Sequence, residues 1–587
     1  MSLTPPSDTA APTAPPSSPS SEPTAETDGS VADTADATVE STNATNATEV
    51  ADAADAAGTA ESPHDDEPRG SRLDDWWART LSTPLRQRLW YWGGPIAVTV
   101  LAAVLRFWNL GNPHALVFDE TFYVKDSWTL FNNGYESAWP DTPNPRFEAG
   151  ETNIFTTDPS FIVHPPLAKW LIALGMAAFG AADSVGWRFS TALIGVLSVV
   201  LLMLITRKLF GSTVLAVIAG FILAIEGNAI VMSRVSLLDG YLMFFALLGF
   251  GAVLLDRQWH ARRLGERVAA ARAAGREPGW GPVMWWRPWL IAAGLAFGLA
   301  SSVKWSGVYF LAGFGVYLIV VDILERRRLG LPFWFSAGVL KQGPATFLLM
   351  VPIAFVTYLS SWTGWIVTAG GYYRQWAQTD GEAWTGALSW VPLWAQNLWH
   401  YHVAAYNYHV NLDTPHPYQS NPLTWLFMVR PTSMYYESQS MGEAGCGYSN
   451  CSEAITGLAN PIIWWAATAA VLYLVYRLVR YREWRVGLIL MGMLVGYVPW
   501  LMYLHRTVFQ FYSIAFEPYM ILALVFVIGL VLGKRTDVSW RRVRGIRLVG
   551  VFLVVSTIVT IFFYPIWTGM QIPFWYWQIH MWIPSWT

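Results

Sequence analysis

The chain has 587 residues, of which 53% are hydrophobic, 15% aromatic and only 13% charged. This composition, with 34 tryptophans, excludes an ordinary soluble protein and indicates a chain that crosses a membrane several times. The net charge is −3 and there is no strongly basic patch, so nucleic acid is not an expected partner. Two cysteines are too few for a disulfide framework or a four-thiolate zinc site.

The N-terminal segment, residues 1–70, consists mainly of Ala, Thr, Ser, Pro and acidic residues, and its first base is Arg69. Such a segment buries too little apolar surface to offset chain entropy, so we predict a disordered, acidic, cytoplasmic tail. It lacks the basic start and apolar core of a signal peptide. Residues 71–92 mix Arg, Trp and Leu, which is typical of a segment at the membrane surface, and residues 93–587 form the predicted transmembrane domain.

Eleven apolar stretches of this domain are predicted to cross the bilayer as helices, which takes about 20 residues each. They lie near residues 94–110, 189–206, 212–232, 237–255, 288–303, 306–324, 344–362, 460–479, 486–504, 512–533 and 547–567. A further apolar stretch, Leu167–Ala182, is short, carries Lys169 and follows two prolines. Whether it spans the membrane decides the orientation of everything after it.

The basic loops settle that orientation, because short loops rich in Lys and Arg stay cytoplasmic. With eleven spans and a cytoplasmic N-terminus, every Arg-rich loop falls on the inner side. We therefore predict that Leu167–Ala182 is an interfacial or re-entrant helix and that the C-terminus lies outside. The expected fold is an all-α polytopic membrane protein with two long outer loops, 111–187 and 363–458.

Ionisable residues recur near the outer ends of the predicted spans, where charges are costly and usually functional. They are Asp119, Glu120, His164, Lys169, Arg188, Arg234, Asp239, Lys304 and Arg506. Arg and Lys bind phosphate, and a carboxylate beside a phosphate can accept the proton of an incoming hydroxyl. This combination indicates sugar transfer from a polyprenyl phosphate.

Several motifs, together with the Asp119–Glu120 pair, have the order and spacing of a known family. They are "HPPLAKW", "WRFSTALIG", "EGNAIVMSRVSLLDGY", "SVKWSGVY", "NPLTWLFMVRP" and "HRTVFQFYSIAFEPYMIL". Over residues 90–587 the chain resembles the protein O-mannosyltransferases of the C-type glycosyltransferase superfamily, and the actinobacterial members most. The resemblance implies inverting transfer of mannose from polyprenyl-phosphate mannose to Ser or Thr of exported proteins, at the outer face of the plasma membrane. The loop 363–458 is too short for the β-trefoil MIR domain of eukaryotic members.

The resemblance also implies roles for the site residues. Asp119 is the expected general base toward the acceptor hydroxyl, Glu120 the group that orients the acceptor or a partner side chain, and Arg188 a ligand of the lipid phosphate. The other expected substrate-binding residues are Arg234, Asp239, Lys304, Arg506, His164 and Lys169. No cofactor is expected, and a divalent ion held by Asp119 and Glu120 is the alternative.

Structural roles remain open for several of these residues. Asp119 and Glu120 are also suited to capping a helix, and Arg234 and Asp239 to forming an ion bridge across a turn. Arg188 and Arg506 have the alternative of snorkelling at helix ends. The histidines at 400–402, 409 and 416 lack the spacing of a known zinc motif. Cys446 and Cys451, in an outer loop, are expected to form a small disulfide.

Two other functions share part of this pattern. A lipid-linked glycosyltransferase that modifies a cell-wall glycan or a lipid would use the same donor site and base. A transporter or flippase would need internal repeats and polar groups near the bilayer midplane, and no convincing repeat is present. Glu226 is the main charge inside a span, either as a buried structural partner or as part of a donor groove.

Overall fold

The structure, a computed structural model, describes residues 68–587, so most of the predicted acidic tail lies outside the described residues. The last residues of that tail are held by the turn before the final long helix. The Gly70 N–H donates to the Asp537 carbonyl (3.0 Å), and the Ser539 N–H donates to the Pro68 carbonyl (2.8 Å).

The described chain is predominantly helical. The longer helices are α1 (Arg72–Thr80), α2 (Pro84–Phe107), α3 (Glu120–Asn133), α4 (Leu167–Phe179), α5 (Ser184–Phe210), α6 (Thr213–Ile225), α7 (Gly227–Arg234), α8 (Asp239–Ala273), α9 (Pro288–Val303), α10 (Gly307–Arg328), α11 (Trp334–Ser361), α12 (Leu393–Val410), α13 (Pro461–Tyr481), α14 (Trp484–Met502), α15 (Glu517–Leu532) and α16 (Ser539–Thr568). Helix α11 contains a π-helical turn at Ala337–Gln342, and α14 ends in a 3₁₀ turn. Short helices lie at Pro143–Glu148, Thr363–Val367, Trp376–Thr379 and Phe574–Gln578.

Within residues 68–587, eight helices are long and apolar enough to cross a membrane, and a bent pair makes a ninth candidate. The eight are α2, α5, α8, α10, α11, α13, α14 and α16, and the pair is α6 with α7. All eleven predicted stretches fall on helices, but α9 and α15 have only 16 residues each. At 1.5 Å per residue, such a helix reaches about 24 Å, less than the roughly 30 Å of a bilayer core. The protein is therefore a multi-pass membrane protein with eight or nine candidate spans.

The structure gives the bounds of the first span and of the doubtful stretch at Leu167. Helix α2 begins at Pro84, ten residues before the predicted span, because Thr83 caps it by accepting from the Arg86 N–H (3.4 Å). The predicted surface segment 71–92 is thus divided between α1 and the first turns of α2. The doubtful stretch at Leu167 forms α4, which has 13 residues and ends at Gly180. This length is too short for a span, as the basic loops had indicated.

The expectation of an all-α fold is wrong in one region. Strands β1 (Thr432–Ser440), β2 (Asn450–Gly457) and β3 (Ile572–Pro573) form an antiparallel sheet in the order β1-β2-β3. The β1–β2 hairpin carries the predicted disulfide between Cys446 and Cys451, with a Cα–Cα distance of 5.9 Å. These strands lack a continuous alternation of apolar and polar residues, and the middle of β1 is exposed. The periodicity that reveals a half-buried strand is therefore missing.

The bend between α6 and α7 is 61° and is built around Glu226. The buried Glu226 carboxylate accepts from the N–H groups of Ala229 (3.0 Å) and Asn460 (2.8 Å), so it caps α7 and ties it to α13. Of the two roles left open for Glu226, the structure shows the buried structural partner. Gly227, next to it, packs directly against Trp567 of α16.

The two ends of the helix bundle differ in charge. The turns at 207–212, 257–287, 325–330, 477–485 and 533–547 hold most of its bases and lie at one end, which we call the basic end. Apart from the two long loops after α2 and α11, the spans are joined by short connections, so that successive spans run in opposite directions. The C-terminal ends of α2, α7, α9 and α14 therefore meet at the opposite end, which we call the site end.

We expect the substitution Gly227→Ala to destabilise the protein. A Cβ atom at Gly227 would lie 2.2 Å from Cζ2 of Trp567 and 2.5 Å from the Leu458 carbonyl oxygen. Overpacking of this kind costs about 1–3 kcal/mol. The measurement is thermal unfolding of the detergent-solubilised protein. The matched control is Gly550→Ala in α16, where a Cβ meets no atom within 4 Å and the unfolding temperature should not fall.

Candidate active site

A buried ion pair fixes the loop between α2 and α3. The Glu120 carboxylate is fully buried and accepts from Nε (2.9 Å) and Nη2 (2.8 Å) of Arg188. It also accepts from the backbone N–H groups of Val117 (2.9 Å) and Ser236 (2.7 Å). With four donors around its two oxygens, Glu120 has no free face for a substrate. Glu120 was expected to orient either the acceptor or a partner side chain. The geometry supports the second role, with Arg188 as the partner.

Arg188 is not placed to bind phosphate, which corrects the sequence-based expectation. Besides the two bonds to Glu120, its guanidinium donates to the carbonyls of Leu110 (3.3 Å), Pro113 (2.8 Å) and Ala115 (2.9 Å). These five contacts use all five N–H groups of the side chain. Arg188 does not snorkel either, because it is 1% exposed and points into the protein.

Arg234 and Lys169 are likewise engaged in holding the backbone. Arg234 donates to the carbonyls of Arg106 (3.0 Å), Trp108 (2.7 Å) and Asn109 (2.9 Å), and so caps the C-terminal end of α2. The buried Lys169 forms an ion pair with Glu136 and donates to the His164 carbonyl (3.1 Å). Neither the Lys169 ammonium nor the Arg234 guanidinium lines the cavity described below, so these contacts do not support the substrate-binding roles predicted for the two residues.

Asp239 pairs with a different base from the one expected. The ion bridge between Arg234 and Asp239 does not form, and Lys304 Nζ instead lies 2.7 Å from Asp239 Oδ2. The same ammonium lies 4.6 Å from the ring centroid of Tyr512. Lys304 thus combines an ion pair with a cation–π contact at the junction of α9 and α10.

Asp119 differs from its neighbour Glu120 in every respect that matters for chemistry. It is half-buried and precedes α3, but its side chain makes no capping hydrogen bond, so the capping interpretation is not supported. Among residues 68–587, no side chain or backbone N–H is hydrogen-bonded to its carboxylate. Burial raises the pKa of Asp119 to about 6, an effect that Lys304 opposes and Asp239 reinforces. The carboxylate is therefore a free proton acceptor near neutral pH.

A cavity of about 550 Å³ opens beside these charges at the site end. Its polar lining includes Lys304, His164, His409 and Arg506. Aromatic side chains make up much of the remaining wall, and they are Trp305, Tyr309, Tyr358, Tyr406, Trp500, Tyr503 and Tyr512. An enclosure with a few convergent polar groups and aromatic walls is suited to a sugar and an anionic group together.

Arg506 is the site arginine that keeps donors available. Its Nη2 lies 3.1 Å from Nδ1 of His409, and its buried Nε has no hydrogen-bond partner among the described residues. In the part of the chain that the structure covers, no carboxylate forms an ion pair with it. Together with Lys304, it gives the cavity a positive end.

Comparisons with known proteins identify the family of this chain. A family model described as dolichyl-phosphate-mannose-protein mannosyltransferase matches residues 96–368, and one for the C-terminal four TMM region of protein-O-mannosyltransferase matches residues 394–586. A polyprenol-phosphate-mannose–protein mannosyltransferase of Mycolicibacterium smegmatis is 34% identical over 507 residues, covering 84% of this chain and 93% of that protein. The chain belongs to the protein O-mannosyltransferase family.

Other members of the family give the same result. The polyprenol-phosphate-mannose–protein mannosyltransferase of Mycobacterium tuberculosis is 35% identical over 510 residues, covering 83% of this chain and 90% of that protein. The solved S. cerevisiae protein O-mannosyltransferase Pmt1–Pmt2 complex, bound to the sugar donor, has a chain that superimposes with a TM-score of 0.63 at 15% identity, covering 89% of this chain and 95% of that one. This O-mannosyltransferase therefore shares the fold of that structure.

Two histidines of the loop 363–458, His400 and His402, contact aromatic side chains. His400 stacks on Trp376 with ring centroids 3.8 Å apart, and His402 contacts the Tyr358 hydroxyl (2.5 Å). Within the described residues, no group of three or more His, Cys, Asp or Glu side chains is placed to hold a metal ion. Asp119 and Glu120 do not form a shared site, because the Glu120 oxygens are already occupied.

Sequence reasoning missed His409 and Tyr512 as parts of the site. His409 lies on α12, in a loop whose histidines were considered only as metal ligands, and Tyr512 lies in an aromatic run before α15. The position of Arg506 was the available signal, since a base at the site end opposes the positive-inside pattern. No spacing rule connects Arg506 to a histidine almost a hundred residues earlier.

We expect Glu120→Gln to destabilise this O-mannosyltransferase much more than Asp119→Asn does. Removing one charge of a buried pair leaves Arg188 uncompensated and costs about 3–5 kcal/mol. Asp119 has no partner to lose, so its amide variant should unfold at nearly the wild-type temperature. Thermal unfolding monitored by tryptophan fluorescence compares the two variants directly. Equal unfolding temperatures for both would contradict the anchoring role of Glu120.

Proposed function

We propose that this O-mannosyltransferase transfers mannose from polyprenyl-phosphate mannose to Ser or Thr hydroxyls of exported proteins, with inversion at the anomeric carbon. The observation that carries the proposal is the unpartnered Asp119 carboxylate, which interacts electrostatically with Lys304, a residue that lines the cavity together with Arg506. A base next to a phosphate site is what an acceptor hydroxyl and a phosphate-linked sugar require. The relatives named for this activity support the choice of sugar and donor.

The cavity walls are suited to a lipid-linked donor. Beyond its polar part, the cavity is lined by apolar side chains of α10 and α11, which include Val308, Leu311, Val351 and Phe355. Val308 is 48% exposed and Phe355 60% exposed, on helices long enough to lie in the bilayer. We infer that the prenyl chain reaches the cavity laterally, between α10 and α11. Its phosphate then lies at Arg506 and Lys304.

The proposed reaction is a single displacement. The acceptor oxygen attacks the anomeric carbon, the bond from that carbon to the phosphate oxygen breaks, and polyprenyl phosphate leaves with the bonding electrons. Asp119 takes the hydroxyl proton as the new bond forms. Arg506 and Lys304 stabilise the charge that develops on the departing phosphate. One displacement inverts the configuration, because attack and departure occur on opposite faces.

The proposed orientation places the site end outside the plasma membrane. The basic end would lie in the cytoplasm by the positive-inside rule, and the predicted eleven spans would include the short helices α9 and α15. The disulfide of the β1–β2 hairpin supports this orientation, since disulfides persist in oxidising compartments. Exported proteins would then meet the site after crossing the membrane.

We predict that Asp119→Asn lowers mannose transfer to a Ser/Thr-containing peptide by about 10²–10⁴-fold, the usual contribution of a general base. Donor affinity should stay close to the wild-type value, because the donor phosphate does not need Asp119. Transfer of labelled mannose and donor binding are measured on the same preparations. The control is Asp141→Asn, an exposed carboxylate of the same outer loop. Full activity of Asp119→Asn would overturn the proposed base, and a labelled glycan or lipid with an unlabelled peptide would overturn the proposed acceptor.

The rate should also depend on pH through Asp119. Its pKa is raised to about 6, and only the deprotonated carboxylate accepts a proton, so kcat should rise as pH increases through about 6 and level off above 7. The pH profile of kcat, measured at saturating donor and acceptor, tests this. The residual activity of Asp119→Asn should lack the same step. A wild-type profile that is flat from pH 5 to pH 8 would contradict the assignment.

A further inference from the structure

We infer that His409 is a positioning residue that holds the Arg506 guanidinium toward the donor phosphate, by accepting a hydrogen bond from it. The inference rests on the proposed function, because it assigns Arg506 to that phosphate. His409 lies on α12 in the second outer loop, and Arg506 lies between α14 and α15. The contact therefore joins the outer loop to the membrane domain at the polar part of the cavity.

The hydrogen bonds of His409 determine which of its nitrogens carries the proton. Nε2 lies 2.9 Å from the Val163 carbonyl oxygen, which only accepts, so Nε2 must donate. Nδ1 lies 3.1 Å from Arg506 Nη2, which only donates, so Nδ1 must accept. Only the neutral Nε2–H tautomer satisfies both contacts. The Val163 carbonyl thus orients the ring, and the ring orients the guanidinium.

This arrangement leaves Arg506 available for an anion. Arg188 and Arg234 direct their donors at backbone carbonyls, whereas Arg506 gives one N–H to an imidazole nitrogen. A neutral acceptor fixes the direction of a guanidinium without neutralising its charge. A carboxylate in the same place would fix it equally well, but would compete with the phosphate for the charge.

The surroundings of His409 keep its imidazole neutral. Four residues from other elements face it or act on it electrostatically: Arg506, Lys304, the ring of His164 with its centroid 5.0 Å away, and the ring of Trp305 at 5.9 Å. From α12 itself, the Tyr408 ring lies 6.0 Å away. Burial, the larger cause, and the positive charge of Arg506 together lower the pKa of His409 to about 4. At neutral pH the ring therefore stays an acceptor for Arg506.

Two substitutions separate the two hydrogen bonds of the ring. His409→Asn keeps an oxygen near the position of Nδ1, so it preserves an acceptor for Arg506. His409→Gln extends to the position of Nε2, so it preserves a donor for the Val163 carbonyl and removes the acceptor for Arg506. A purely structural role for His409 would make both variants similar. A positioning role predicts that Asn rescues and Gln does not.

The test measures the Kd of polyprenyl-phosphate mannose for the full-length, detergent-solubilised enzyme, without acceptor. We expect His409→Gln to weaken donor binding about tenfold, the effect of losing one hydrogen bond to a charged group, and His409→Asn to stay within about threefold of wild type. In an Arg506→Ala background, His409→Gln should have no additional effect, since its target is gone. Thermal unfolding of each variant shows whether it folds.

Three results would overturn the inference: equal weakening by Asn and Gln, wild-type binding by both, or a tenfold effect of His409→Gln that persists without Arg506. The proposed function fails in a different way. Wild-type enzyme that binds the donor but does not label the peptide would refute the acceptor and leave the role of His409 intact. Wild-type enzyme that binds no donor would refute both.

Discussion

The buried ion pair of Glu120 and Arg188 is the constraint on which the site depends. It ties the loop before α3 to α5, and the Ser236 N–H ties the same carboxylate to the turn before α8. Two buried charges are costly to desolvate, and here four hydrogen bonds to the carboxylate and three to backbone carbonyls compensate for that cost. Because Glu120 is held rigidly, the preceding residue, Asp119, is fixed in place but keeps a carboxylate without a hydrogen-bond partner among the described residues, within electrostatic range of Lys304.

The bases at the site end divide into two classes by what they contact. Arg188, Arg234 and Lys169 hold backbone carbonyls, so they shape the loops around the cavity. Lys304 and Arg506 line the cavity itself. The difference is one of available donors: a guanidinium with five occupied N–H groups cannot bind a phosphate, whatever its charge. The residues of both classes are positively charged and lie near the ends of predicted spans. Only their contacts in the structure show which class each residue belongs to.

Sequence reasoning was accurate where a feature depends on local composition. The apolar stretches fall on helices, α4 is too short to span, and Cys446 pairs with Cys451. It was inaccurate where a feature depends on which distant groups meet. The expected partner of Asp239 was Arg234, five residues away, but the structure pairs Asp239 with Lys304, since α8 and α9 pack side by side. The β1–β2 hairpin was missed because its strands lack a regular alternation of apolar and polar residues: the middle of β1 is exposed and most of β2 is buried.

The sequence by itself determined that the protein is a multi-pass membrane glycosyltransferase of the O-mannosyltransferase family, because hydropathy, basic loops and ordered motifs are all properties of the linear chain. It also singled out Asp119. The tertiary structure alone decided which of the nine charged or titratable candidates remain free for chemistry. A carboxylate or guanidinium can take part in chemistry only if its hydrogen bonds are not already used by the protein. The groups that use them can be distant in the sequence, as Arg188 and Ser236 are from Glu120.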